Sequence, residues 1–180
     1  MRLFDLGVRV KDLAKYTNDC VPLMTREIKQ VVKWSEWDGG YKRKRFIPVL
    51  TIISAKPSQD TDAILKSLRD QMGFLASRHR EYLALDEPQV VEHGEVELYS
   101  SRPPILYGII LAQTMAIFST LDSSVPEAKT KHIAHFDFKQ PGHSVWNGMA
   151  IAIIVVMARN YTMSLLETLE DDDSESDPDL

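Results

Sequence analysis

The sequence contains one cysteine, Cys20, and only eight glycines among its 180 residues. A single cysteine excludes a disulfide framework and a cysteine-based zinc site, and it is typical of proteins from a reducing compartment. The glycines form no phosphate-binding loop, because Gly39 and Gly40 lack both the spacing and the following Lys-Ser or Lys-Thr pair. No G-x-S-x-G turn is present, so the sequence does not indicate a nucleophile-elbow hydrolase.

Long apolar runs are also absent. No stretch reaches about 18 uninterrupted apolar residues, so a membrane-spanning helix is not expected. The first dozen residues carry a charge every few positions, and we therefore expect no secretory signal. The sequence predicts an intracellular protein, nuclear or cytoplasmic, that has no membrane partner.

Charge is unevenly distributed along the chain. The formal net charge is −5, from 21 basic and 26 acidic side chains. Eight of the acidic residues lie in residues 167–180, which contain no Lys or Arg, so residues 1–166 carry a net charge of +3. We expect residues 1–166 to form one α+β domain. Residues 167–180 cannot bury apolar surface and are expected to be a disordered acidic tail.

The acidic tail allows more than one role. It is either a solubilising segment or a competitor that folds back on a basic groove of the same chain, with its serines as phosphorylation sites. A third role, which belongs to a protein-interaction function, is the recruitment of basic protein partners by the tail.

Hydrophobic periodicity predicts a mixture of helices and strands. Helical spacing occurs in residues 1–17 and from Ser58 to Leu83, where Asp60 or Thr61 is the expected N-cap. The almost wholly apolar run from Met149 to Ala158 predicts a helix that is buried on all sides. The fold class is therefore α+β, a mixed central sheet of about five strands flanked by helices. The expected strands are residues 46–54, which are apolar on both faces and should be central, and residues 90–99, 105–112, 114–121 and 131–138.

Residues 21–37 allow two interpretations. If Val21–Gln30 is extended, alternate side chains share a face, so Glu27 and Lys29 point the same way. Two carboxylates can then hold a divalent cation while the lysine orients a water, and Asp19 is the nearest upstream acid. If residues 25–37 instead form an amphipathic helix, Glu27 lies in its first turn and Lys29 is an ordinary exposed cation.

Several of these segments resemble a known family. The REIK sequence, the FIPVLTII strand and the following helix with Gln71 are similar to PD-(D/E)xK restriction-endonuclease-like domains, above all to divergent versions in fungal proteins. The paired segments ILYGIILA and TMAIFSTL also resemble strands of such domains. The resemblance covers about residues 1–160 and implies a restriction-endonuclease-like fold.

The resemblance implies a degenerate nuclease-like domain that binds nucleic acid with Mg²⁺. Glu27 and Lys29 match the E-x-K of the family, and Asp19 matches its preceding acid. Asp19 and Glu27 are then the metal ligands, and Glu27, Lys29 and Gln71 are the catalytic residues. The alternative is a non-catalytic intracellular protein-interaction domain that uses the same sheet as a scaffold.

A run of four cations, Lys42, Arg43, Lys44 and Arg45, follows the Gly39-Gly40 pair. Adjacent cations repel one another, so their side chains point into solvent or meet a polyanion. The run is either a nucleic-acid-binding or nuclear-import patch, or a solvated loop that leads into a strand.

Histidines offer a rival metal site, because His132, His135, Asp137 and His143 lie within twelve residues. On a regular strand His132 and His135 face opposite sides, which leaves only His135 and Asp137 together. Two ligands do not make a catalytic zinc site, so we expect no metal there.

Overall fold

The computed structural model describes residues 3–90 and 96–175, with the side chains of residues 3–87 and 97–166. Two helices, a strand and a third helix are followed by five consecutive strands and a long final helix. The helices are α1 (Leu6–Leu13), α2 (Val21–Asp38), α3 (Thr61–Leu83) and α4 (Ser144–Glu175). The strands are β1 (Leu50–Ser54), β2 (Ala84–Val90), β3 (Val96–Tyr99), β4 (Ile105–Ala112), β5 (Met115–Asp122) and β6 (Lys131–Asp137).

Four of the strands form a mixed sheet in the order β1-β4-β5-β6. β1 runs parallel to β4, while β4, β5 and β6 are antiparallel neighbours. The β4–β5 hairpin turns at Gln113, whose φ of 53° is in the left-handed region that a tight turn requires. The predicted α+β class with a mixed sheet flanked by helices is therefore confirmed.

The sheet carries a separate apolar core on each face, because successive side chains of a strand point to opposite sides. Ile109 and Leu111 of β4 pack in one cluster with α1, α2 and α4. Leu106 and Ile110 pack in the other cluster, mainly against α3. The Asp60 side chain caps α3 by accepting a hydrogen bond from the Ala63 N–H at 3.2 Å, as predicted.

Helices α1 and α4 approach each other closely at two glycines. A Cβ atom on Gly7 would lie 2.6 Å from Ser144 Oγ, and one on Gly148 would lie 2.8 Å from the carbonyl oxygen of Leu3. Ser144 Oγ accepts a hydrogen bond from the Gly7 N–H and donates one to the carbonyl oxygen of Phe4. Ser144 therefore joins the start of α4 to α1.

Two strand predictions need correction. The predicted central strand at residues 46–54 begins only at Leu50 and lies at the edge of the sheet, where α2 and α3 cover its two faces. Its apolar side chains are covered by these two helices, and a position between two strands is not needed to explain them. The predicted strand at residues 90–99 contributes β3, which pairs with β2 in a separate two-stranded sheet, so the central sheet has four strands instead of five. Residues 91–95 lie outside the described residues.

Helix α4 is not buried on all sides, contrary to the prediction from its composition. Ile151 and Val155 are buried, but Ile153 is 55% exposed and Met157 is 48% exposed. Residues Ser144–Leu166 have the length and mean hydropathy (1.7) of a membrane-crossing helix, a property that core helices of water-soluble proteins share. The expected absence of a membrane partner stays a prediction.

The backbone of α4 continues to Glu175, within the segment that was expected to be a disordered tail. No side chain of residues 167–180 is among those described, and residues 176–180 lie outside the described backbone. Disorder of the acidic tail therefore stays a prediction.

Candidate functional site

The segment with Glu27 and Lys29 is helical, so the extended interpretation of residues 21–30 is wrong and a helix is confirmed. The helix begins at Val21 and not at residue 25, so Glu27 lies beyond its first turn, contrary to the prediction. Pro22 lies in the first turn of α2, where its missing N–H needs no partner. Asp19 Oδ1 accepts a hydrogen bond from the Val21 N–H at 3.2 Å, which satisfies one of the free donors at the start of the helix. These local preferences, together with the apolar spacing of Ile28, Val31 and Val32, favour a helix over a strand.

Glu27 is a buried carboxylate held by two arginines. Its side chain is 3% exposed, and Oε1 accepts hydrogen bonds from Arg9 Nη2 at 3.1 Å and from Arg26 Nη2 at 2.9 Å. Burial acts to raise the pKa of Glu27, but the hydrogen bonds and charges of Arg9 and Arg26 outweigh it, so the pKa lies below its ordinary value. The Glu27 cluster (Arg9, Arg26 and Glu27) thus ties α1 to α2.

The three predicted catalytic residues do not come together. Lys29 follows Glu27 by two positions on a helix, so their side chains point apart, and Lys29 is exposed. Gln71 lies on α3 and accepts a hydrogen bond from Thr51 of β1 at 2.7 Å. Thr51 faces the α3 side of the sheet, whereas its neighbour Ile52 packs in the core beneath α2. The sheet therefore separates Gln71 from Glu27 and Lys29.

Asp19 and Glu27 do not fit a magnesium site as they are arranged. Asp19 precedes α2, and the helical rise of about 1.5 Å per residue places Glu27 about 9 Å along the axis from Val21. The two guanidinium groups beside Glu27 already neutralise its charge and repel a divalent cation. In the described part of the chain, no three His, Cys, Asp or Glu side chains are grouped so that they could hold a metal ion.

The histidine prediction is wrong in its geometry, because His132 and His135 lie on the same side of β6. Their ring centroids are 5.5 Å apart. The register shifts between Phe118 and Ser119 of β5, where Ala134 and His132 are the respective partners. Ile133 is the extra residue, and this bulge cancels the alternation on which the prediction depended. Both histidines are exposed.

The fold brings the predicted basic run close to residues from other parts of the chain. Lys42, Arg43, Lys44 and Arg45 are all exposed, on a loop between α2 and β1. The Lys44 N–H donates to the carbonyl oxygen of Tyr41 at 2.9 Å. The Phe46 ring packs edge-on against Tyr41, with centroids 4.9 Å apart. The loop is thus anchored on both sides of its cations.

Arg45 and Arg78, which are 33 positions apart, line one cavity of about 250 Å³. In the described residues, neither guanidinium has an acidic partner. Aromatic rings from three elements complete its wall, and aliphatic side chains near the end of α4 close it. The remaining lining residues are Phe46, Ile47, Tyr82, Tyr161, Thr162, Leu165 and Leu166.

The sequence indicated some of these cavity residues but not their meeting. Arg78 belongs to an Arg-His-Arg segment at the end of α3, in which Arg80 instead donates to the carbonyl oxygen of Ser123 at 2.9 Å. Tyr82 belongs to the apolar spacing of α3, yet it is 53% exposed. Burial raises the pKa of Tyr161 to about 12, so its phenol stays neutral and donates to the carbonyl oxygen of Arg102. The signal available in the sequence was Phe46 directly after Arg45 and Tyr82 one helical turn after Arg78.

No protein-family model, curated protein or solved structure matches this chain. The arrangement of its own residues is therefore the basis for a functional proposal. That arrangement combines exposed cations with aromatic rings, which together favour a ligand that has both phosphates and flat apolar groups.

Proposed function

We propose that this chain is a non-catalytic nucleic-acid-binding domain and a degenerate relative of PD-(D/E)xK restriction-endonuclease-like domains. The observation that carries the proposal is the convergence of Arg45 and Arg78 on a cavity with aromatic walls. Guanidinium groups bind phosphate oxygens in a fork geometry, and aromatic rings stack on bases. Lys42 and Arg43 extend the cationic surface next to the cavity.

Loss of catalysis is supported by the state of the acidic residues. A nuclease of this family would need carboxylates free to hold Mg²⁺, whereas Glu27 is engaged by Arg9 and Arg26. Lys29 points away from Glu27 and is separated from Gln71 by the sheet. A restriction-endonuclease-like origin of the fold belongs to the same proposal, and its support is the mixed sheet between helices.

The test is binding of a fluorescently labelled oligonucleotide at several salt concentrations. The wild-type protein should bind more weakly as salt rises, because phosphate contacts release counterions. The double variant Arg45→Gln and Arg78→Gln should lose affinity at low salt and show a salt slope smaller by about 1.4 to 1.8. Lys66→Gln is the control for loss of a surface cation, because Lys66 is exposed on α3, does not line the cavity and lies about 18 Å along the helix from Arg78.

Two results would contradict the proposal. Binding that does not respond to salt, or that Lys66→Gln weakens as much as the double variant, would remove the nucleic-acid site. Mg²⁺-dependent cleavage by the wild type would instead support a working nuclease, provided that Glu27→Ala and Lys29→Ala abolish the cleavage while the protein stays folded.

A protein-interaction domain is the second candidate, and one observation favours it. The solvent side of α4 exposes a continuous set of apolar side chains, which is typical of protein-binding surfaces. Its members are Val145, Trp146, Met149, Ile153, Val156 and Met157. Absence of any oligonucleotide binding would leave this candidate.

A further inference from the structure

The solvent side of α2 combines lysines with exposed tryptophans. The buried positions of the helix, among them Met24, Ile28 and Val31, face the core. Trp34 is 46% exposed and Trp37 is 70% exposed on the other side. Lys33 is exposed on that side as well, and Lys29, one turn earlier, is exposed beside a cavity that it lines together with Asp19 and Lys56. We call Lys29, Lys33, Trp34 and Trp37 the Trp-Lys face.

The core does not account for these tryptophans. Met24, Ile28 and Val31 already fill the interface between α2 and the sheet. Trp34 and Trp37 are three positions apart, so their rings are neighbours along the helix surface. Large aromatic surface left in water at adjacent positions is typical of a binding surface.

The charge of the Trp-Lys face is positive. In the described residues, neither Lys29 nor Lys33 has an ion-pair partner. Asp38, at the end of the helix, is already neutralised by Arg159 Nη2 at 2.6 Å, and Glu36 is only half-exposed. The two lysines outnumber the remaining carboxylate, Glu36, so we expect a partner of this face to be anionic.

The Trp-Lys face leads into the basic loop. After α2 ends, the N–H groups of Tyr41 and Lys42 donate to the carbonyl oxygen of Glu36 at 3.2 and 3.1 Å, which folds the chain back against the last turn. Lys42 and Arg43 thus follow Trp37 closely, and Arg45 leads to the cavity with Arg78. The basic loop thus connects the Trp-Lys face to the cavity along the chain.

We infer that the Trp-Lys face binds single-stranded nucleic acid, with unpaired bases stacked on Trp34 and Trp37 and phosphates contacted by Lys29 and Lys33. This inference rests on the proposed function and names its preferred ligand. In a duplex both faces of each base are covered by its neighbours, so exposed indole rings can stack only on unpaired bases. The exposed large apolar side chains of α2 are Trp34 and Trp37, so this helix offers no exposed Val, Leu, Ile or Met side chain to insert into lipid.

The test compares binding of a labelled 20-nucleotide single strand with binding of the duplex of the same sequence. The double variant Trp34→Leu and Trp37→Leu should weaken single-strand binding by at least about tenfold and leave duplex binding unchanged. Trp146→Leu is the control, because Trp146 is 66% exposed but lies on α4, outside the Trp-Lys face and the cavity lining. The double variant Lys29→Gln and Lys33→Gln should lower the single-strand salt slope by about 1.4.

A fluorescence measurement avoids any change to the face itself. The chain has three tryptophans, so Trp146→Phe leaves emission from Trp34 and Trp37 alone. Adding the unlabelled single strand should quench this emission, whereas the duplex should leave it unchanged.

The possible failures are distinguishable. If single strand and duplex bind equally and the tryptophan variants have no effect, while the Arg45 and Arg78 variant still weakens binding, this inference is wrong and the proposed function stands. If no oligonucleotide binds, both are wrong. Binding to vesicles of phosphatidylserine and phosphatidylcholine without oligonucleotide binding would also overturn both, and would assign the face to a membrane surface.

Discussion

Helices α2 and α4 pack on the same face of the central sheet, but the side chains that they expose to solvent differ in chemistry. Ile28 of α2 and Ile151 of α4 are both fully buried in the same core. A salt bridge of 2.6 Å between Arg159 and Asp38 joins the two helices. Their outer sides differ, because α2 exposes lysines and tryptophans while α4 exposes mainly aliphatic side chains.

The difference shows when apolar composition predicts burial. In α2, polar residues separate the apolar ones, so their spacing marks the buried side. In α4, apolar residues occur on every side from Met149 to Ala158, and composition therefore cannot mark which side meets the sheet. The number of neighbours available to cover the helix decides how much of it is buried.

The largest expected effect separates the two sides of α4. Ile151→Ala should destabilise the protein by about 2–5 kcal/mol, because Ile151 is fully buried and the substitution leaves a cavity. Ile153→Ala should change the free energy of unfolding by less than about 0.5 kcal/mol, because the side chain is 55% exposed. Urea unfolding of both variants measures this. Equal destabilisation would mean that something covers the outer side of α4.

The next effect concerns the buried ionisable group of α2. Glu27→Gln should cost about 1–3 kcal/mol, because it leaves the Arg9 and Arg26 guanidinium groups without their shared carboxylate. Lys29→Gln is the matched control on the same helix and should change stability by less than about 0.5 kcal/mol. An equal loss in the two variants would contradict the structural role of Glu27.

The Glu27 cluster also makes the stability of the protein depend on pH. The pKa of Glu27 is lower in the folded state, so the unfolded state binds a proton first as the pH falls. The stabilisation is therefore complete above the ordinary glutamate pKa of about 4.3 and is lost as the pH falls from there through the folded pKa. Glu27→Gln should flatten this part of the stability curve, and an unchanged acid limb would contradict the assignment.

The smallest expected effect involves His79, whose ring packs edge-on against Tyr161 of α4 at a centroid distance of 6.1 Å. His79 is fully buried, and burial lowers its pKa more than the hydrogen bond with the carbonyl oxygen of Pro48 raises it. The unfolded state therefore takes up a proton first, and stability should fall as the pH drops below about 6.5.

His79→Gln tests this dependence, because the other four histidines remain in both proteins. Thermal unfolding at pH 7.5 and 5.5 should show a larger difference for the wild type than for the variant. Equal differences would place the pH-sensitive group elsewhere. The result would also show that the His79 ring beside α4 is kept neutral, in contrast to the charged Glu27 of α2.

The sequence predicted the elements whose signals are local. The Asp60 cap is present, and strands occur where residues 105–112, 114–121 and 131–138 predicted them. Predictions that depended on regular geometry over a longer stretch were wrong where the chain departs from it. The bulge at Ile133, which brings His132 and His135 to one side, is such a case.

The candidate site followed the same division. The basic run was evident from the sequence, because four adjacent cations need no structure to be recognised. The pairing of Arg9 with Glu27 and the meeting of Arg45 with Arg78 depend on how separate elements pack. Residue spacing contains no direct signal for such contacts.

Most of the helices and strands, the cation-rich loop and the uneven charge follow from the sequence alone, because they depend on neighbouring residues and on composition. The exceptions are residues 21–30, which the sequence left open between strand and helix, and β2, which it did not predict. Packing decided which side of α4 is covered, that the Glu27 carboxylate is neutralised by arginines, and that Arg45 shares a cavity with Arg78. The physical reason is that burial and pairing require partners from distant parts of the chain, and only the folded arrangement brings those partners together.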